Sequence, residues 1–183
     1  MIIEPKEFVL KDGRTCTLRT PETSDAPALL KYLVDTAAET DYVLSYPEER
    51  AGMTLEKEER FIASRRDDPD TAMISAFVDG ELAGNCEISF LSHIKDRHRA
   101  VVAIALYKKY WNLGIGNAMF EEMIRLAESR EGVLQMELEV IEGNRRAIAL
   151  YEKNGFHITS VHPNAIRLKD GTMLSEYLMI KEI

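Results

Sequence analysis

The sequence has few residues of the kinds that build disulfides, metal sites or membrane spans. It contains two cysteines and no CxxC motif, and its four histidines show no metal-ligand spacing. No apolar run approaches the ~20 residues that a membrane-spanning helix needs, and the N-terminus lacks the apolar core of a signal peptide. We therefore expect a cytoplasmic protein without a bound metal or a membrane anchor, in which Cys16 and Cys86 are buried reduced thiols.

Positive charge is also in deficit. The chain carries 23 Lys and Arg against 31 Asp and Glu, for a net charge of -8. Nucleic-acid-binding domains carry the opposite sign because they neutralise phosphates, so no nucleic-acid partner is expected. The length of 183 residues fits one domain with a sizeable core, and no linker or internal repeat interrupts it. We predict a single domain over residues 1–183.

The apolar pattern predicts strands and helices in mixed order. Asp79-Gly80 and Asp170-Gly171 are turn signals, and Ser24, Thr54 and Asn144 are candidate helix N-caps. Residues 99–106 and 133–141 flank a helix and should be parallel, joined by a right-handed crossover. This order predicts an α/β fold with a mixed, mostly antiparallel sheet and about four helices. The predicted strands are 14–20, 73–78, 82–91, 99–106, 133–141, 156–161 and 174–180, and the helices are 24–39, 54–67, 116–130 and 144–153.

The most informative segment follows the strand 99–106. A short basic and aromatic turn leads to Gly114 and Gly116, and then an amphipathic helix begins. Glycines allow backbone N–H groups to approach a phosphate, and the positive end of the helix dipole favours an anion there. From these residues alone, a tight strand-to-helix connection remains an equal alternative.

Two motifs together resemble a known family. Residues 103–116 (AIALYKKYWNLGIG) resemble the acyl-CoA signature of the GNAT superfamily of N-acetyltransferases, which is a strand, a short turn and Q/R-x-x-G-x-G/A. Residues 144–156 (NRRAIALYEKNGF) resemble the second motif of that family, and the element order matches from about 14 to 181. Trp111 departs from the pattern, because the family has Gln or Arg there. The resemblance implies the GNAT fold and transfer of an acetyl group from acetyl-CoA to a primary amine by direct attack.

The resemblance also implies which residues bind the cofactor. The pantetheine arm would pair with backbone groups of Ala105, Leu106 and Lys108, and the Leu106 N–H would donate to the thioester oxygen. Asn144 would contact the arm, and Lys108 and Lys109 would add positive charge beside the turn. The remaining cofactor-binding candidates belong to the glycine turn, and they are Trp111, Asn112, Leu113, Gly114, Ile115, Gly116 and Asn117.

Two residues are candidates for the proton transfers. Tyr151 matches the family tyrosine that points at the sulfur, and a phenol is protonated at neutral pH and can reprotonate a thiolate. Without the resemblance, Tyr151 would be read as a packing aromatic. Glu87 is the candidate base, acting directly or through a water, and an ordinary solvent-facing strand residue is its equal alternative. We expect Glu137 and Glu139, on the polar face of their strand, to be exposed.

The acceptor is the least determined part of this interpretation. Glu39, Tyr42 and Tyr46 lie where the family places its acceptor-binding helix and loop, and acids and tyrosines suit a cationic amine, although a solvated acidic loop explains them slightly better. A small-molecule amine is the first expectation, and a protein N-terminus, as on a ribosomal protein, or a lysine is the alternative. A non-catalytic CoA-binding sensor is the rival from another class. Exposed strand edges near the C-terminus also leave a homodimer open.

Overall fold

The computed structural model describes residues 1–183, with eight strands and five α-helices. The strands are β1 (Lys6–Val9), β2 (Thr15–Arg19), β3 (Thr71–Val78), β4 (Glu81–Phe90), β5 (Arg99–Leu106), β6 (Gln135–Ile141), β7 (His157–Arg167) and β8 (Met173–Glu182). The helices are α1 (Ala26–Glu39), α2 (Pro47–Arg50), α3 (Leu55–Asp67), α4 (Ile115–Ser129) and α5 (Arg145–Lys153). None of these helices combines the length and the apolar character that a membrane crossing requires.

The first of two compact units comprises residues 1–89 and 103–119. Its strands follow the order β1-β2-β3-β4, and each neighbouring pair is antiparallel. β3 is buried along its whole length, which explains its nearly continuous apolar sequence. The core of this unit combines residues of α1, α3, β3 and the start of β4, and its buried members are Ala26, Leu29, Tyr32, Ile62, Met73, Phe77 and Leu82.

The second unit comprises residues 90–102 and 120–183. Here the start of β5 pairs in parallel with β6 from Arg99 to Val101, and β6, β8 and β7 pair antiparallel in that order. The predicted parallel pair is therefore confirmed. Phe120 of α4 contacts the rings of Tyr151 and Phe156 edge to face, with centroid separations of 5.4 and 5.5 Å. This aromatic cluster packs α4 and α5 together.

The predicted α/β fold with a mixed, mostly antiparallel sheet is confirmed, and β5 has the predicted bounds. Cys16 and Cys86 are both buried and form no disulfide, and burial raises the pKa of Cys16 to about 11. Two short elements were not predicted. β1 is a four-residue strand with exposed, charged residues, and α2 is one turn of helix inside the predicted loop.

The prediction that Glu137 is exposed is wrong. Its side chain is 6% exposed, and Arg99 of the neighbouring strand lies 2.5 Å from its carboxylate. The ion pair explains how a carboxylate is tolerated on a buried strand, because an opposite charge compensates for lost hydration. Glu139, two residues further along β6, is exposed as expected.

Gly84 lies where β4 and the end of β5 approach each other closely. A Cβ at this position would stand 2.7 Å from the Ala105 carbonyl oxygen and closer still to the Leu106 side chain. We expect Gly84→Ala to lower the free energy of unfolding by about 1–3 kcal/mol through overpacking. Denaturant unfolding measures this, with Gly52→Ala as the control, since a Cβ at Gly52 meets no heavy atom within 4 Å. Equal losses in the two variants would contradict the close approach.

Candidate active site

The turn after β5 forms a cradle of backbone N–H groups. Asn112 and Gly114 have positive φ angles of 65° and 104°, and they turn the chain so that α4 begins at Ile115. The Ala118 N–H donates to the Gly114 carbonyl at 3.1 Å, which is the first bond of the helix. N–H groups of the first turn, such as those of Ile115 and Gly116, precede that bond and are directed toward the space before the helix. The arrangement suits a phosphate at the N-terminus of α4.

The side chain of Trp111 binds the end of β5, a contact that the sequence did not predict. Its indole Nε1–H donates to the Leu106 carbonyl at 2.9 Å, so the side chain folds back onto the end of β5. The Lys108 ammonium lies 5.8 Å from the centroid of the Trp111 ring. Lys109 instead forms an ion pair with Glu81 at 2.8 Å. Of the two lysines proposed to add positive charge here, Lys109 is thus already paired with a carboxylate.

The end of β5 has a defined backbone orientation. The Tyr107 N–H donates to the Ala83 carbonyl at 3.0 Å, so the backbone groups of Tyr107 face β4. Because these groups alternate along a strand, the N–H and C=O of Leu106 point away from β4. The Leu106 C=O meets the Trp111 indole on that side. The Leu106 N–H, the donor assigned to the thioester oxygen, points in the same direction.

Backbone groups on both sides of this donor are bound to α1. The Tyr32 hydroxyl donates to the Ala105 carbonyl at 2.8 Å, and the Glu39 carboxylate accepts the Lys108 N–H at 2.8 Å. Backbone groups of Ala105 and Lys108 were predicted to pair with the pantetheine arm, and one group of each residue, the Ala105 carbonyl and the Lys108 N–H, already has a protein partner. Sequence reasoning missed Tyr32, because its partner lies 73 positions further along the chain and no local signal indicates the contact.

Tyr151 occupies the short helix of the second unit. Asn144 is its N-cap, as predicted, and its side chain accepts the Ala147 N–H at 3.3 Å. Tyr151 is 7% exposed, and burial raises the pKa of its hydroxyl to about 12. A tyrosine in this state is protonated at neutral pH and can donate a proton to a thiolate.

Glu87 has partners on both carboxylate oxygens. Arg65 of α3 lies 3.2 Å from Oε2, and the Ser89 hydroxyl donates to Oε1 at 3.2 Å. Its side chain is about a quarter exposed, between the solvent-facing and buried alternatives. Each carboxylate oxygen has a second lone pair, so these two contacts do not exhaust the acceptor capacity of Glu87.

The predicted acceptor residues lie at the end of α1 and in the segment after it. Glu39 is the last residue of α1, Tyr42 is exposed, and the Tyr46 N–H donates to the Glu49 carboxylate at 2.6 Å. One turn of helix, α2, follows Tyr46 and orders part of the predicted loop. The Glu39 carboxylate accepts the backbone N–H of Lys108 and is thus directed at the chain after β5.

Comparison with known proteins identifies the family. The sequence model of the Acetyltransferase (GNAT) family matches residues 32–156, more than half of the chain. A crystal structure of a GNAT-family acetyltransferase from Streptococcus pneumoniae is 28% identical, superimposes with a TM-score of 0.85, and is matched over 92% of this chain and 99% of its own. The chain belongs to the GNAT acetyltransferase family, and it is an acetyl-CoA-dependent N-acetyltransferase.

Two curated relatives from Escherichia coli K12 differ in what they acetylate. The L-amino acid N-acetyltransferase AaaT is 28% identical over 115 residues, which is 63% of this chain and 70% of AaaT. The alanine N-acetyltransferase of ribosomal protein bS18 is 40% identical over 68 residues, which is 37% of this chain and 45% of that enzyme. The chain thus matches less than half of the second enzyme's length.

The Trp111 bond makes the substitution Trp111→Phe informative. Phenylalanine keeps an aromatic ring but cannot donate to the Leu106 carbonyl, so the end of β5 loses one restraint. At about 1 kcal/mol for a lost hydrogen bond, we expect the Kd for acetyl-CoA to rise about fivefold. Titration calorimetry measures this. An unchanged Kd would show that the indole hydrogen bond does not help to shape the cofactor site.

Proposed function

We propose that this enzyme acetylates the primary amine of a small, cationic molecule. The observation that carries the proposal is the acidic and aromatic segment after α1, which includes Asp41, Tyr42, Tyr46 and Glu48. Carboxylates attract a protonated amine, and tyrosine rings bind cations. The longer of the two curated matches, to an enzyme that acetylates L-amino acids, supports the same acceptor class.

A protein N-terminus is the second candidate acceptor. The specific observation in its favour is the 40% identity over 68 residues with the enzyme that acetylates ribosomal protein bS18. Lysine side chains of proteins have no comparable support. A non-catalytic CoA sensor has none either, because the family and both relatives are acetyltransferases.

In the proposed mechanism, the acceptor amine attacks the thioester carbonyl directly. The Leu106 N–H stabilises the negative charge that develops on the carbonyl oxygen, as backbone donors do in other acyl transfers. A C–N bond forms and the C–S bond breaks, and the departing thiolate takes the proton of the Tyr151 hydroxyl. The proton lost by the amine goes to a water or to Glu87, and solvent then reprotonates Tyr151.

We also propose where acetyl-CoA binds and in which compartment and assembly the enzyme works. Acetyl-CoA is a substrate here, and its pyrophosphate would lie on the N–H groups between Asn112 and Asn117. We propose that the chain works in the cytoplasm as a single domain over residues 1–183. A homodimer formed through the exposed strand β7 remains a proposal as well.

Acetyl-CoA turnover tests the function, measured as thiol release with amino acids, polyamines and N-terminal peptides as acceptors. We expect turnover with small amines, and Tyr151→Phe should lower kcat roughly 100-fold because a general acid contributes 10²–10⁴-fold. Tyr177→Phe, in β8, is the matched control and should retain the wild-type rate. Turnover with N-terminal peptides alone would favour the second candidate. A Tyr151→Phe variant with full activity would remove Tyr151 from the mechanism.

The raised pKa of Tyr151 also predicts the pH dependence. The acid must be protonated to work, so its contribution is lost only as pH rises through its folded-state pKa of about 12. We expect kcat/KM to rise with pH as the acceptor amine deprotonates, without a descending limb between pH 7 and 10. A descending limb below pH 10 that disappears in Tyr151→Phe would show that this tyrosine titrates near its ordinary pKa.

A further inference from the structure

Helix α1 directs three polar side chains at the end of strand β5. Tyr32, Asp35 and Glu39 are spaced i, i+3 and i+7, so they lie along one face of the helix. We refer to these three residues as the α1 clamp. Each bonds a different group of β5 or of the two residues after it: the Ala105 carbonyl, the Tyr107 hydroxyl and the Lys108 N–H.

The clamp bonds have ordinary hydrogen-bond lengths, and Tyr32 makes its bond in a buried setting. The bond from Tyr32 to the carbonyl measures 2.8 Å, the bond from the Tyr107 hydroxyl to Asp35 3.0 Å, and the bond from Lys108 to Glu39 2.8 Å. Tyr32 is 4% exposed, and its ring meets that of Tyr107 edge to face at 5.3 Å. Burial, above all, raises the pKa of Tyr32, so its hydroxyl keeps the proton that it donates.

Glu39 stands at a position where helix physics disfavours it. It is the last residue of α1, and the negative end of the helix dipole repels a carboxylate. The hydrogen bond from the Lys108 N–H offsets this repulsion. The carboxylate is thereby fixed two residues beyond Leu106, through the backbone and not through a side chain.

The three bonds surround Leu106 without using its N–H. The clamp binds residues 105, 107 and 108, and the Trp111 indole binds the Leu106 carbonyl. The peptide is thus restrained on both sides of the one donor that the mechanism needs. A donor that does not reorganise during the reaction stabilises developing charge best.

We propose that the α1 clamp positions the Leu106 N–H, and that Glu39 acts through Lys108 as a positioning residue and does not contact the acceptor. This proposal rests on the proposed function in that the Leu106 N–H is taken as the donor to the thioester oxygen. The contacts that define the clamp do not depend on which amine is acetylated.

The test compares Glu39→Ala with Glu39→Gln. Glutamine keeps an oxygen that can accept the Lys108 N–H but removes the charge, whereas alanine removes both. We expect Glu39→Ala to lower kcat roughly 10- to 100-fold, as small misplacements of a catalytic group do, and to speed hydrogen exchange over residues 105–108. Glu39→Gln should recover most of both. Glu128→Ala, an exposed glutamate of α4, is the control for a lost surface charge.

Several outcomes would overturn the clamp. The first is a Glu39→Ala variant whose kcat and whose rate of amide hydrogen exchange over residues 105–108 both equal those of the wild type. Another is a Glu39→Gln variant that loses as much kcat as alanine while its exchange stays normal, which would mean that the carboxylate acts on the amine itself.

If the wild type turns over no amine in the panel, the proposed function fails but the clamp is still tested. The affinity for acetyl-CoA and the amide hydrogen exchange over residues 105–108 then test the clamp. If both are unchanged in Glu39→Ala, the clamp proposal is rejected. Melting temperatures of all variants distinguish these effects from a general loss of folding.

Discussion

A backbone N–H or C=O group that leaves a sheet still needs a partner, and this requirement shapes the end of β5. Between Ala105 and Lys108 the chain changes from strand to turn, and side chains and one strand carbonyl take over as partners. The partners come from α1, from β4 and from the turn itself. The four residues at this transition are thereby held by hydrogen bonds to three different parts of the first unit.

The acidic surplus of the chain is used in the same way. Glu39 accepts a backbone N–H, Asp35 accepts a tyrosine hydroxyl, and Glu81 binds both the Lys109 ammonium and the Tyr110 hydroxyl. Carboxylates have four lone-pair sites each and can hold several donors at once. A net charge of -8 therefore says little about solvated surface in this region, because these carboxylates hold strand, turn and helix together.

Local signals explain what the sequence could predict. The bounds of β5, the Asn144 cap and the turn at Asp79-Gly80 depend on neighbouring residues, and each was predicted correctly. The partnership of Glu39 with Lys108 joins positions 69 apart, and nothing near either residue announces it. Glu137 was mispredicted for the same reason, since the partner of its buried carboxylate, Arg99, lies on another strand. Periodicity indicates which face a side chain occupies, but not which distant group meets it there.

The glycine turn has one further connection, and it reaches the first hairpin. The Lys11 N–H, in the loop between β1 and β2, donates to the Leu113 carbonyl at 3.3 Å. An anion that draws the turn toward itself would lengthen or shorten this bond. The Lys11 amide is therefore a built-in reporter, and its chemical shift would register occupancy of the turn from a loop about a hundred residues earlier in the chain.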